Sequence, residues 1–187
     1  VKAQLPVFSH SHNDYWRTMP FYEAYSQYAQ SIEADVYLLN GELLVGHDTD
    51  ESTPDKKFVT MYMEPIVKLF RANGGHMWKD SDAPMQLMVE AKNDNVALLN
   101  ELVRNLEKYP DVFCSENGVR VVITGYDLKP DEFSLFPKWM YFDGGLSKNY
   151  TPEQLERVAL FSECFEDYAH WNGKGHILDS QLVALKK

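Results

Sequence analysis

The chain has 187 residues, 44% of them hydrophobic and 25% charged, with a formal net charge of −10. That is enough for one good core, and no apolar run approaches the roughly 18 residues of a membrane span. The acidic balance speaks against nucleic acid or an anionic bilayer as a non-specific partner, since both favour a basic surface. It leaves an anionic small substrate open, because a bound dication inverts the local field. Two cysteines, Cys114 and Cys164, lie in or beside apolar stretches without CxxC spacing and read as buried free thiols. The first residue is Val1 rather than Met, so an exported protein stripped of an upstream segment and a cytoplasmic protein are both open readings.

Apolar runs then alternate with helical patterns. Leu5-Pro6-Val7-Phe8-Ser9-His10 predicts a first strand, and residues 18–30 predict a helix with Thr18 as cap and Pro20 near its start. Ser31-Ile32-Glu33-Ala34-Asp35-Val36-Tyr37 alternates as a strand, which places Glu33 and Asp35 on one face. Leu38-Leu39, Asn40-Gly41 and Glu42-Leu43-Leu44-Val45 follow, and Asn-Gly between apolar runs is the strongest short hairpin signal. A two-residue loop pairs Leu39 with Glu42, sets Asp35 against Gly46 and Ala34 against His47, and so brings His47 level with the acidic pair.

Residues 48–57 are polar and turn-rich, and residues 62–73 are helical as far as Gly74-Gly75. Met85-Gln86-Leu87-Met88-Val89-Glu90-Ala91 is the next strand. Residues 95–109 carry Val96, Leu99, Leu102, Val103 and Leu106 at helical spacing. Residues 119–124 and 139–143 predict strands, Thr151-Pro152-Glu153-Gln154 opens a helix with a capping box, residues 165–171 predict a sixth strand and residues 179–187 a last helix.

Strand then helix, repeated, is the pattern of an α/β fold with parallel strands. No repeat, low-complexity tract or linker divides the sequence, so residues 1–187 are expected to form a single domain. The candidate chemistry at residues 12, 33–35, 47 and 90 falls at or just past strand ends, where a (β/α)8 TIM-type barrel builds its sites. About six strand–helix units are found against eight, and the sequence ends inside a helical pattern. The expectation is therefore a (β/α)8 barrel, incomplete at its C-terminus in this chain.

Two adjacent carboxylates repel each other unless a cation or proton sits between them. Glu33 and Asp35, joined by Glu90 at the end of the third strand, give three oxygen ligands, which suits Mg2+ or Ca2+ rather than Zn2+. Lys92 shares the face of Glu90 and adds a positive charge for a phosphate, and His12 and His47 lie nearby in the sequence. Singly, each feature has an ordinary explanation: an acidic strand face, a surface ion pair, a core histidine. Together they read as a hard-metal site with an acid/base pair. Asp48 is placed to orient His47 or support the metal, Tyr126-Asp127 follows the fourth strand within reach of the site, and Trp139, Tyr141, Phe142 and Trp171 are core or pocket wall. A rival chemistry rests on His10-Ser11-His12, an HxH pair of the zinc amidohydrolase or PHP-type phosphoesterase kind. A further rival is a non-catalytic barrel that binds a phosphorylated or sugar ligand.

The segments His12-Asn13-Asp14, Ile32-Glu33-Ala34-Asp35-Val36, Gly46-His47-Asp48 and Val89-Glu90-Ala91-Lys92 resemble, in order and spacing, the glycerophosphodiester phosphodiesterase superfamily. These are the phospholipase-C-like phosphodiesterases, which include sphingomyelinase D, and the Ser-His-Asn-Asp-Tyr variant is similar to an uncharacterised branch. The resemblance covers roughly residues 7–92. It implies a (β/α)8 barrel, one divalent cation held by Glu33, Asp35 and Glu90, and His12 and His47 as acid and base. It also implies cleavage of a small phosphodiester, glycerophosphodiester-like or phospholipid-head-group-like, by way of water or a neighbouring hydroxyl that gives a cyclic phosphate. His12-Asn13-Asp14 stands where the familiar motif has His-Arg-Gly, so Lys92, with Asn13 as a neutral donor, takes the place of the missing phosphate-holding arginine.

Overall fold

The computed structural model describes residues 8–93, 95–125 and 129–185. Seven strands build one sheet: β1 (His10–Ser11), β2 (Ser31–Leu39), β3 (Glu42–Val45), β4 (Gln86–Ala91), β5 (Arg120–Thr124), β6 (Met140–Gly144) and β7 (Val158–Phe161). Six of them run parallel in the order β1-β2-β4-β5-β6-β7, and β3 pairs antiparallel with β2. The helices are α1 (Tyr22–Ser26), α2 (Glu64–Ala72, continuing a π-helical turn Val59–Met63), α3 (Asn95–Leu106), α4 (Pro110–Phe113), α5 (Pro152–Leu155) and α6 (Asp179–Leu185). Among the described residues no helix is long and apolar enough to cross a membrane.

Alternation along the strands separates two faces. Ile32, Ala34 and Val36 of β2, Leu87, Val89 and Ala91 of β4, Val121 and Ile123 of β5, and Met140 and Phe142 of β6 point to one side. There they form a continuous buried core with Leu98, Leu99 and Leu102 of α3 and Ile66 and Phe70 of α2. The opposite face carries Ser31, Glu33 and Asp35 of β2 beside Gln86, Met88 and Glu90 of β4. It is this second, polar face that holds the candidate chemistry.

The hairpin forms in the expected register. Leu39 pairs with Glu42 and Val36 with Val45, Gly46 N donates to Asp35 O at 3.2 Å, and Asn40 (φ 50°) and Gly41 (φ 81°) supply the two left-handed residues that the turn requires. β4 lines one edge of β2, while β1 and β3 divide the other edge between its N- and C-terminal halves.

Three expectations are corrected. The expected (β/α)8 barrel, incomplete at its C-terminus, is not what the described residues form. The sheet is open, a half-barrel of six parallel strands with β1 and β7 at its two edges. Six parallel strands stand where a closed barrel has eight; after β5 the links carry a 3-10 turn (Pro130–Leu135) and the four-residue α5, and no strand follows β7 among the described residues. The sixth strand expected at residues 165–171 is a short 3-10 turn (Phe165–Asp167). The strand is instead Val158–Phe161, because the capping box of Thr151 and Gln154 starts only one turn of helix. The helix expected over residues 18–30 is cut to Tyr22–Ser26 by Phe21 (φ 65°) and Tyr28 (φ 57°), both left-handed. Leu5, Pro6 and Val7 of the expected first strand, Tyr126-Asp127 and the end of the last helix lie outside the described residues.

The break at Phe21 has a visible cause. Asp14 is fully buried; its Oδ1 accepts from Ser11 Oγ at 2.8 Å, and its Oδ2 accepts from Phe21 N at 2.5 Å and Tyr62 OH at 3.1 Å. Read in sequence as part of the reactive motif, Asp14 is the post on which the loop carrying His12 and Asn13 is tied. Hydrogen bonds to a charged buried acceptor contribute about 1.5–3 kcal/mol each. Asp14→Asn is therefore expected to lower the unfolding free energy by about 2–3 kcal/mol, read as a lower urea midpoint at unchanged slope. A second test concerns the thiols, both of which are free. Burial, aided by the charge of Glu107, pushes the Cys114 thiol up to about 11, whereas Cys164 is exposed. Iodoacetamide at pH 8 is expected to label one cysteine in the native chain and both after denaturation, by mass spectrometry, since only the thiolate reacts.

Candidate metal and acid/base site

The register of β2 with β4 sets Asp35 directly beside Glu90, with Glu33 one pleat back on the same face. Among the described residues, one group of three potential ligands converges: oxygens of Glu33, Asp35 and Glu90 lie within 4.8 Å of one another. Glu33 and Asp35 are buried and Glu90 is half-buried. Lys92 donates from Nζ to Glu90 Oε1 at 3.2 Å and stands 3.2 Å from Asp35 Oδ2. Burial pulls the Lys92 ammonium down, but the bonds and charges of Glu90 and Asp35 outweigh it, and the net shift is upward. Burial raises Glu90, and the charge of Asp35 adds to the rise against the opposing pull of Lys92.

One lysine does not complete the set. Asp35 Oδ1 is buried with no hydrogen-bond partner, and a buried unsatisfied acceptor costs about 1–3 kcal/mol or more when charged. An oxygen-only donor set with an orphaned buried carboxylate oxygen fits a hard cation. Gly125, at φ 78°, gives Glu90 the room to take its place: a Cβ there would meet Glu90 Cγ at 2.1 Å.

His47 stands on this centre. Its Nδ1 is 3.1 Å from Asp35 Oδ2 and 3.4 Å from Tyr15 OH. Its backbone N donates to Glu51 Oε2 at 3.1 Å, and Trp16 Nε1 donates to the same oxygen at 3.2 Å. The Trp16 ring lies 5.3 Å from the imidazole. Asp48, the sequence candidate for orienting His47, is exposed, and Glu51 does that work. Burial, together with the nearby charge of Asp35, raises Tyr15 far above the ordinary phenol range, so it keeps its proton and acts as a donor. It donates to Asn13 Oδ1 at 3.1 Å.

His12 is exposed on the loop tied by Asp14. His10, one pleat back, has both ring nitrogens engaged: Nδ1 with Ser31 Oγ and Nε2 with Glu33 Oε2, each at 2.8 Å. Gln86 Nε2 donates to the same Ser31 Oγ at 3.1 Å, so Gln86, Ser31, His10 and Glu33 form one continuous hydrogen-bonded row. The His10 and His12 rings are 6.4 Å apart, and the group of three potential ligands that converges among the described residues contains neither of them.

Thus the structure gathers Glu33, Asp35, Glu90, Lys92 and His47, with Asn13 joined to them through Tyr15, and leaves His12 at the rim. Sequence reasoning missed Tyr15, Trp16, Glu51 and Gly125, and weighed His10 only as a zinc ligand. Of the aromatic residues considered, Phe142 is core, stacked on Phe133 at 4.1 Å, and Trp171 is exposed.

Residues 1–112 match the family model described as the AIM6-like phosphodiesterase domain, a stretch that contains every residue of the centre except Gly125. Altered inheritance of mitochondria protein 6 homolog from Arthroderma benhamiae is 31% identical over 129 residues, covering 59% of this chain and 41% of the relative. Altered inheritance of mitochondria protein 6 from Kluyveromyces lactis is 30% identical over 246 residues, covering 95% of this chain and 59% of the relative. The protein of that name from Saccharomyces cerevisiae is 29% identical over 198 residues, covering 97% and 46%. The chain spans about half the length of these relatives. No solved structure matches it.

Gly125→Ala provides a test that touches no ligand atom. The added methyl displaces Glu90, and calorimetric titration with Mg2+ or Ca2+ is expected to show at least about tenfold weaker binding than in the parent, the loss caused by a misplaced supporting residue at a metal site. Equal affinities would count against Glu90 as a ligand.

Proposed function

The chain belongs to the AIM6-like phosphodiesterase domain family, and we propose that it is a phosphoric diester hydrolase that depends on one divalent cation, Mg2+ or Ca2+. Its substrate is a small glycerophosphodiester-like or phospholipid-head-group-like molecule, in keeping with the resemblance to the phospholipase-C-like phosphodiesterases. The observation that carries this reading is the convergence of three carboxylates, one with an orphaned buried oxygen, beside an imidazole held at Nδ1.

Glu33, Asp35 and Glu90 would hold the cation, which when bound supplies Lewis-acid stabilisation of charge on a phosphoryl oxygen. The remaining work falls to the side chains. Asp35 and Glu51 fix His47 at its ring and its backbone, which leaves Nε2 to face the substrate. His12, on the tethered loop, is the second proton-transfer group. One imidazole accepts a proton from the attacking water or hydroxyl, and the other returns one to the leaving oxygen. Histidine suits both roles because its ordinary pKa of about 6.5 lies near neutrality. Lys92 contributes a permanent positive charge at the phosphate, and the Asn13 amide, oriented by Tyr15, donates a neutral hydrogen bond where the superfamily motif has arginine.

Hydrolysis of bis(p-nitrophenyl) phosphate and of glycerophosphodiesters is expected to require Mg2+ or Ca2+ and to stop with EDTA. His12→Ala and His47→Ala are each expected to lower kcat by about 10²–10⁴, the contribution of a positioned acid or base. Undiminished turnover in either variant, or full activity in EDTA, would overturn the assignment.

A further inference from the structure

Beside the carboxylate trio lies a cavity of about 450 Å3, within the size range of small-molecule sites. It shares Glu33 with the trio and includes both His10 and His12. Met88 and Leu160 give it apolar wall, and Thr124 and Asp143 line its far side. Asp143 is half-buried at the end of β6. Its Oδ2 accepts from Thr124 Oγ1 at 2.9 Å and its Oδ1 from Ser162 N at 3.0 Å. Both donors are neutral. Neither Lys nor Arg lines the cavity, and no ion pair reaches Asp143 among the described residues.

We propose that this cavity is the subsite for one alcohol of the phosphodiester, and that Asp143 selects alcohols that carry a hydrogen-bond donor, a hydroxyl or a primary ammonium. The inference rests on the phosphodiesterase reading and adds a substrate class to it. With phosphorus at the trio, one ester branch enters the chamber that Glu33 opens onto, and His12 is the imidazole that flanks the oxygen of that branch. An occupant that fills the chamber strips water from a fixed carboxylate, which is costly unless the occupant donates to it. A glycerol or ethanolamine branch does so, and an aryl or plain alkyl branch does not. Neutral donors hold both Asp143 oxygens in place while each keeps a free lone pair. A site built to bond a substrate donor discriminates strongly against the analogue that lacks it.

The test compares glycerophosphoethanolamine and glycerophosphoglycerol with bis(p-nitrophenyl) phosphate, in the parent and in Asp143→Asn. The ratio of kcat/KM for the donor-bearing diesters to that for the aryl diester is expected to fall at least about tenfold in the variant, through KM rather than kcat. An unchanged ratio overturns the subsite. Thr124→Val, which keeps the carboxylate and removes one of its supports, is expected to shift the ratio in the same direction by less, and serves if Asp143→Asn fails to fold. A second arm needs no turnover: binding of phosphoethanolamine and glycerol 3-phosphate followed by NMR. Should the parent hydrolyse no diester, the phosphodiesterase reading fails on its own. Binding that weakens at least about tenfold in Asp143→Asn then still supports the subsite, and equal binding removes it.

Discussion

The contact on which the rest depends is the level pairing of Asp35 and Glu90 on neighbouring parallel strands. Like charges side by side on a sheet are destabilising, and here one of them is fully buried. The arrangement persists because positive charge or donors reach it from two directions: Lys92, which leaves the end of β4 and bridges both carboxylates, and His47, which arrives from the hairpin. Even so, one oxygen of Asp35 is left without a partner. A fold optimised for stability alone would replace such a group with an apolar one. Left without a partner in the middle of a sheet, that oxygen is a local cost that the surrounding packing must offset.

Around that pair the scaffold is asymmetric. The helix-packed face is dry and apolar, and it fixes the strands in register. The other face is polar along β2 and β4, and its histidines come from opposite sides. His12 sits on a loop moored through Asp14 to Tyr62, which belongs to the turn leading into α2. His47 follows a tight hairpin and is braced by Glu51 and Trp16. Each imidazole is thus carried by a short segment tied to the core, which limits the freedom of its backbone.

What the sequence discloses follows from the range of the forces involved. The hairpin and its register were legible because Asn40-Gly41 sets the turn locally, and the period-2 pattern fixes which side Glu33 and Asp35 face. The gathering of Glu90 with them was anticipated from its place at a strand end. Barrel closure was misjudged, since six strand patterns do not reveal whether the sheet meets itself. The strand at Val158–Phe161 was hidden behind a genuine capping box, a local signal that runs for only one turn before sheet pairing takes over. Tyr15 and Gly125 were missed because each acts through a contact between segments far apart in sequence, and Glu51 because its bond to His47 N, only four residues away, depends on the shape of a loop that a polar, turn-rich run does not disclose.

The hairpin has an entropic consequence. His47 and Asp35 are 12 residues apart, whereas the β2–β4 pairing that delivers Glu90 spans separations such as the 55 residues between Leu38 and Asn93. The entropic penalty of joining chain ends grows with the logarithm of the span, so the longer closure costs about 1 kcal/mol more. Of the two closures, the one that brings His47 to Asp35 is entropically the cheaper, and the one that sets Glu90 beside Asp35 carries the larger ordering cost.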